Sequence, residues 1–138
     1  MSKINLYTRS DEVIPLPIKV FAWILIFAGC FFAYVFNFNP SLTNPSASIS
    51  DYSSQLGFTM TAVRVISSVV ALLISVYFNN SKFMAITLVS RVVGEWGDVI
   101  TSLVLGGTLM HQIPLTILGA IELWAVLTLF KNIKANTH

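Results

Sequence analysis

Apolar residues in this chain gather into four long blocks, separated by short polar breaks. Residues 17–36, 57–78, 83–105 and 113–130 are each mostly hydrophobic. About 20 such residues in helical form cover a hydrocarbon core of roughly 30 Å, so each block predicts a membrane-crossing helix. Pro15 and Pro17 suit the approach and first turn of the first helix. That block is too long for the core of a cleaved signal peptide, and no small-x-small cleavage site follows it, so it is read as a span. Residues 37–56 are rich in Ser, Asn and Pro and predict the longest loop. Asn39 and Asn44 are each followed by proline and are not glycosylation acceptors. The break at 79–82 is short enough to make the second and third helices antiparallel neighbours. Gly106 and Gly107 end the third. The expected fold is therefore all-α: one integral membrane domain over residues 1–138, built as a four-transmembrane-helix bundle.

Basic residues set the expected orientation. Lys3, Arg9, Lys19, Lys82, Lys131 and Lys134 all fall on one side of a four-span plan, and none falls in the 37–56 loop or beside His111. By the positive-inside rule both termini are cytoplasmic and 37–56 is an outer loop, as in a multi-pass protein of a cell or inner membrane.

Composition supports the same class. Hydrophobic residues make up 55% of the chain and charged residues 10%. Soluble domains carry about 25% charged residues. A net charge of +2 with no basic cluster gives no footing for nucleic-acid binding. Cys30 is the only cysteine, so no internal disulfide forms, and it is read as a small packing residue.

What the hydrophobic pattern does not explain is Ser90 to Ser102, SRVVGEWGDVITS. At roughly 100° per residue Arg91, Glu95, Asp98 and Ser102 lie within about 60° of one another, forming one polar stripe inside an apolar block. A charge at the bilayer centre costs about 2.5–3.5 kcal/mol or more, so this stripe must face protein, water or a bound molecule. The second block adds Arg64 within a stripe of small and polar residues (Gly57, Thr61, Ser68, Ala71, Ser75), which predicts that Arg64 points inward. The fourth adds Glu122 on a side shared with Leu115, Leu118, Val126 and Leu129, and His111 prolongs that side outward. A rise of about 1.5 Å per residue places Glu95 and Glu122 near the midplane, with Asp98 and Arg64 about 4–5 Å outward and Arg91 about as far toward the cytoplasm. This layering permits Arg64 with Asp98, Arg91 with Glu95, and Glu122 opposite them. Gly94 and Gly97 flank the stripe and would let another backbone approach. Trp23, Phe27, Cys30, Tyr34 and Asn37 recur at helical spacing and give the first helix an aromatic face, read as one wall of a pocket.

Two arginines cannot neutralise three carboxylates, so one carboxyl carries a proton or a cation or ligand group completes the charge. Neighbouring carboxyls in unlike environments form the pattern used for a general acid and general base. Glu95, Asp98 and Glu122 are thus the candidate catalytic residues, with Glu122 expected to hold the proton because no basic residue lies within a turn of it. Arg64, Arg91, Tyr34, Trp23 and His111 are candidates for charge pairing or substrate binding. The function expected is binding of a hydrophobic or amphipathic small molecule entering from the bilayer, with acid/base chemistry of the isomerase, cyclase or epoxide-opening type. No cofactor is called for, and the sequence contains no phosphate loop, nucleophile elbow or metal-ligand signature. Two other classes use the same residues. Buried ion pairs can hold a structural or assembly subunit to a partner or to another copy, and Arg91 with Glu95 can pair along one helix without further purpose. Midplane carboxyls also serve proton or ion relays, although four helices without an inverted repeat are few for alternating access.

The four-span plan, the arginine in TAVRVISSVVALL and the third-span sequence RVVGEWGD resemble the DoxX-like group of small four-helix membrane proteins. Arg64, Arg91, Gly94 and Asp98 carry that resemblance. It implies the four-helix plan and says little of activity, because the group is functionally diverse; Glu95 and Glu122 do not carry over from it.

Overall fold

The computed structural model describes residues 13–42, 52–104, 106 and 109–135, except the side chains of Ser53, Leu109, Met110 and His111. Among the described residues the regular structure is entirely helical. The order is α1 (Leu16–Phe38), a short 3-10 turn (Pro40–Leu42), α2 (Tyr52–Tyr77), α3 (Ser81–Val104) and α4 (Leu109–Ala135). Helices α1, α2 and α4 are long and apolar enough to cross a membrane. Helix α3, at 24 residues, has matching length but carries Lys82, Arg91, Glu95 and Asp98.

Helix boundaries run past the apolar blocks at several ends. Helix α2 begins at Tyr52, ahead of the hydrophobic run, because Tyr, Ser and Gln tolerate helix where it leaves the apolar layer. Helix α4 begins at Leu109 and accommodates Pro114 near its start, which removes one backbone donor without ending the helix. At its other end α4 continues through Lys131 and Lys134 to Ala135, where cations favour the negative end of the helix dipole. Lys3, Arg9 and residues 43–51 of the expected outer loop lie outside the described residues.

Asparagines build the turn between α2 and α3. Asn79 adopts a left-handed φ of 49°, a conformation that Asn enters more readily than most residues. The amides of Asn79 and Asn80 donate to the carbonyls of Val76 and Ser75 at 3.0 Å and 3.3 Å, closing the end of α2. Asn80 Oδ1 then accepts from the amides of Lys82 and Phe83 at 2.9 Å and 3.2 Å, capping the start of α3.

The chain divides into two compact units. One comprises Lys19–Ile74 and the other Met1–Ile18 with Ser75–His138. In the first, Ala22, Leu25, Ile26 and Ala33 are buried along one side of α1, and Ala62, Val69 and Leu72 along one side of α2. Gly29 is where the two helices come close. A Cβ built there would lie 2.5 Å from Val69 Cγ2 and 3.6 Å from Val65 Cγ1. We expect Gly29→Leu to lower the thermal midpoint in detergent, by an overpacking cost of about 1–3 kcal/mol. An unchanged midpoint would show that the two helices part there without penalty.

In the second unit α3 and α4 pack against each other. The buried residues of α3 are Ser81, Met84, Ala85, Leu88 and Val92, a stripe with i, i+3/i+4 spacing. On α4 they are Glu122, Ala125, Val126 and Leu129. A carboxylic acid therefore occupies a core position of the α4 stripe. Trp96 lies across Gly119, one turn from Glu122. A Cβ built on Gly119 would clash with the indole Nε1 and fall 2.8 Å from Cδ1. Only glycine leaves room for the ring in this position.

Candidate functional site

Arg91 is the centre of the buried polar cluster. Its Nε donates to Glu122 Oε1 at 2.7 Å, and its Nη2 lies 2.7 Å from the same oxygen. Nη2 also donates to Glu95 Oε1 at 2.6 Å. One nitrogen thus serves carboxylates from two helices, and the guanidinium engages Glu122 through two of its donors, the geometry for which arginine is suited and lysine is not. Local sequence explains each placement. Glu95 is one turn beyond Arg91 on α3, so the pair meets along a single helix. Glu122 comes from the core stripe of the antiparallel partner, at the level where Arg91 crosses the seam.

Burial is deep for so much charge. The Glu122 side chain is 0% exposed, and those of Arg91 and Glu95 are 14% exposed. Glu95 Oε2 and Glu122 Oε2 are buried and accept no hydrogen bond from any described residue. Glu95 Oε1 and Glu122 Oε1 both lie against the same guanidinium nitrogen, Nη2, which draws the two carboxyl groups side by side. As carboxylates both are acceptors only, and no bond can form until one of them carries a proton. With both ionised, one guanidinium faces two negative charges in an apolar interior.

Other residues of the α3–α4 seam extend the polar surface. Asp98, one turn beyond Glu95, and Ser102, one turn further, are both half-buried. Ser102 Oγ accepts from Gln112 Nε2 at 2.8 Å, tying the far ends of the two helices. In the other direction Ser75 and Thr87 share a hydroxyl hydrogen bond of 3.2 Å across the α2–α3 turn.

No protein-family model, curated protein or solved structure matches the chain.

The structure brings together Arg91, Glu95 and Glu122, with Asp98 a turn away on the same stripe. Arg64, expected to point inward, is exposed on α2 in the other unit. Trp23 and Tyr34 are exposed on α1, paired with Phe27 and Phe38 at ring-centroid distances of 6.0 Å and 5.1 Å. Cys30 is exposed on the same helix rather than packed. The His111 side chain lies outside the described residues. Gly94 and Gly97, read as points of close approach, have open space where a Cβ would sit; among the described residues Gly29 and Gly119 are the glycines in tight contact. Trp96, Gly119 and Gln112 were not singled out by sequence reasoning.

Proposed function

We propose that this chain is a multi-pass membrane protein whose Arg91–Glu95–Glu122 cluster is an acid–base site for a hydrophobic or amphipathic small molecule. In this reading α3 crosses the bilayer beside α4, with both termini cytoplasmic, on the four-span plan of the DoxX-like proteins that its sequence resembles. Its charges support a crossing beside α4 because Arg91 is engaged with both Glu95 and Glu122 instead of facing acyl chains.

One observation carries the proposal: two buried carboxyl oxygens, one from each helix, sit beside a single guanidinium with no donor for either among the described residues. A single shared proton meets both needs. It gives the carboxyl pair its missing hydrogen bond and brings the cluster to zero net charge, removing the cost of an unpaired buried anion. A carboxyl pair holding one proton can give it to a substrate atom while its other member accepts a proton elsewhere, as isomerisation, cyclisation or epoxide opening requires. Arg91 holds both groups in register. Glu95 and Glu122 hold the proton between them, one donating while the other accepts; Asp98 stands next along the stripe. The open flank at Gly94 and Gly97 leaves room on α3 for a guest to approach.

The test uses purified protein in lipid vesicles supplied with a lipid-soluble cell extract, followed by mass spectrometry of apolar compounds. The proposal expects the wild-type protein to convert at least one species and Glu122→Gln to leave it untouched while remaining folded. Equal conversion by Glu122→Gln would overturn the acid–base assignment of the pair. Absence of any conversion, with loss of a co-purifying partner chain in the variant, would assign the Arg91 bridge to assembly instead.

A further inference from the structure

Polar groups along the α3–α4 seam are not distributed evenly about the Arg91 cluster. Toward the C-terminal end of α3 the stripe continues through Asp98 and Ser102, both half-buried, and Gln112 reaches across from α4 to Ser102. One further turn leads to Gly106, which is exposed, with a φ of 85° in the connection to α4. Polar side chains therefore recur at every turn between Glu95 and that end, a distance of about 10 Å to Ser102 at helical rise. Water placed beside them would find partners at each step.

Toward the other end the same seam closes. Met84, Ala85 and Leu88 on α3 and Ala125, Val126 and Leu129 on α4 are buried, four of them at 0% exposure. The polar pair at that level, Ser75 and Thr87, spends a hydrogen bond on itself. An apolar section of this kind offers water too few polar partners to hold it.

We infer that the seam is a half-channel: water and protons reach Arg91, Glu95 and Glu122 from the Gly106 end, past Asp98, Ser102 and Gln112, while Leu88, Met84 and Leu129 seal the opposite end. With the termini cytoplasmic, the Gly106 end faces outward, so the cluster exchanges protons with the outer compartment alone. This rests on the reading of the cluster as an acid–base site. It also separates that reading from a transmembrane relay, because a path open at one end reloads the carboxyl pair without carrying protons across. Asp98 and Gln112 are then positioning residues for the water path.

Cysteine accessibility tests the path without any knowledge of the substrate. In a Cys30→Ser background, Ser102→Cys, Leu88→Cys and Leu129→Cys are each reconstituted in liposomes. A charged methanethiosulfonate is then added, whose thiolated product forms as the cysteine thiolate displaces sulfinate. The thiolate forms where water reaches, so Ser102→Cys should react at least about tenfold faster than Leu88→Cys or Leu129→Cys. Equal rates at the two ends, in either direction, overturn the half-channel. The two closed-end variants guard against one failing to fold. Fast labelling of Ser102→Cys alongside undiminished conversion by Glu122→Gln would retain the water path and discard the acid–base reading. Slow labelling with conversion lost in Glu122→Gln would do the reverse.

Discussion

Arg91→Met should lower the stability of the protein by about 3–5 kcal/mol, the cost of removing one partner from a buried ionic cluster. Among the described residues the guanidinium supplies the donors to Glu95 and Glu122, two of them to Glu122. Without it two carboxyl groups face each other in an apolar interior, and Glu122 is fully buried. Arg91→Lys should fall between, because an ammonium keeps the charge but cannot present the Nε and Nη2 donors as a planar fork. Replacing all three residues together, as Arg91→Met with Glu95→Leu and Glu122→Met, should recover most of the loss, since well-packed apolar groups of similar volume match or exceed a buried ionic network in stability. Unfolding in mixed micelles, monitored by helical circular dichroism, measures all three. If Arg91→Met unfolds with the wild type, the cluster is not what joins α3 to α4.

Glu95→Gln and Glu122→Gln should each be mild for the fold and severe for the chemistry, while the double variant should be severe for both. A glutamine has the shape of a protonated glutamate, and its amide can donate to the remaining carboxylate. Either single substitution therefore reproduces the neutral cluster, with one guanidinium and one carboxylate, and stability should stay within about 1 kcal/mol of wild type. It also fixes the exchangeable proton in place as an amide, so conversion of a substrate should fall by about 10²–10⁴, the usual contribution of a positioned acid or base. With both replaced, Arg91 is left as an uncompensated buried cation, and the loss should again approach about 3–5 kcal/mol. This departure from additivity is the signature of one shared proton. Single substitutions that stabilise the protein markedly would mean that both carboxylates are ionised in the native cluster.

The parts of the site legible in the sequence were those fixed along one helix. Arg91 and Glu95 are four apart, and any helix brings them together; the side that Glu122 shares with Val126 and Leu129, buried in the structure, followed from helical spacing. That Glu122 meets Arg91 depends on how α4 is rotated about its own axis. Trp96 seated on Gly119 accompanies that setting, and neither residue shows it by type alone. The same limit governed the glycines. Their lack of a side chain is visible, but whether Gly94 or Gly119 faces a neighbour depends on rotation, and the structure places Gly119 against an indole and Gly94 beside open space. Helix existence was legible from the four apolar blocks, whereas ends were not, because the polar residues at Tyr52–Gln55 and the tail at Lys131–Ala135 extend the helices with no hydrophobic signal. The turn at Asn79 and Asn80 was short enough to read, although its left-handed residue and its cap were not separable before the structure.

Infrared spectroscopy of the reconstituted protein tests the shared proton most directly. The account predicts a protonated-carboxyl C=O band that shifts on exchange into heavy water and disappears in both Glu95→Gln and Glu122→Gln. A spectrum with carboxylate bands alone, or a protonated band that survives both substitutions, would contradict it.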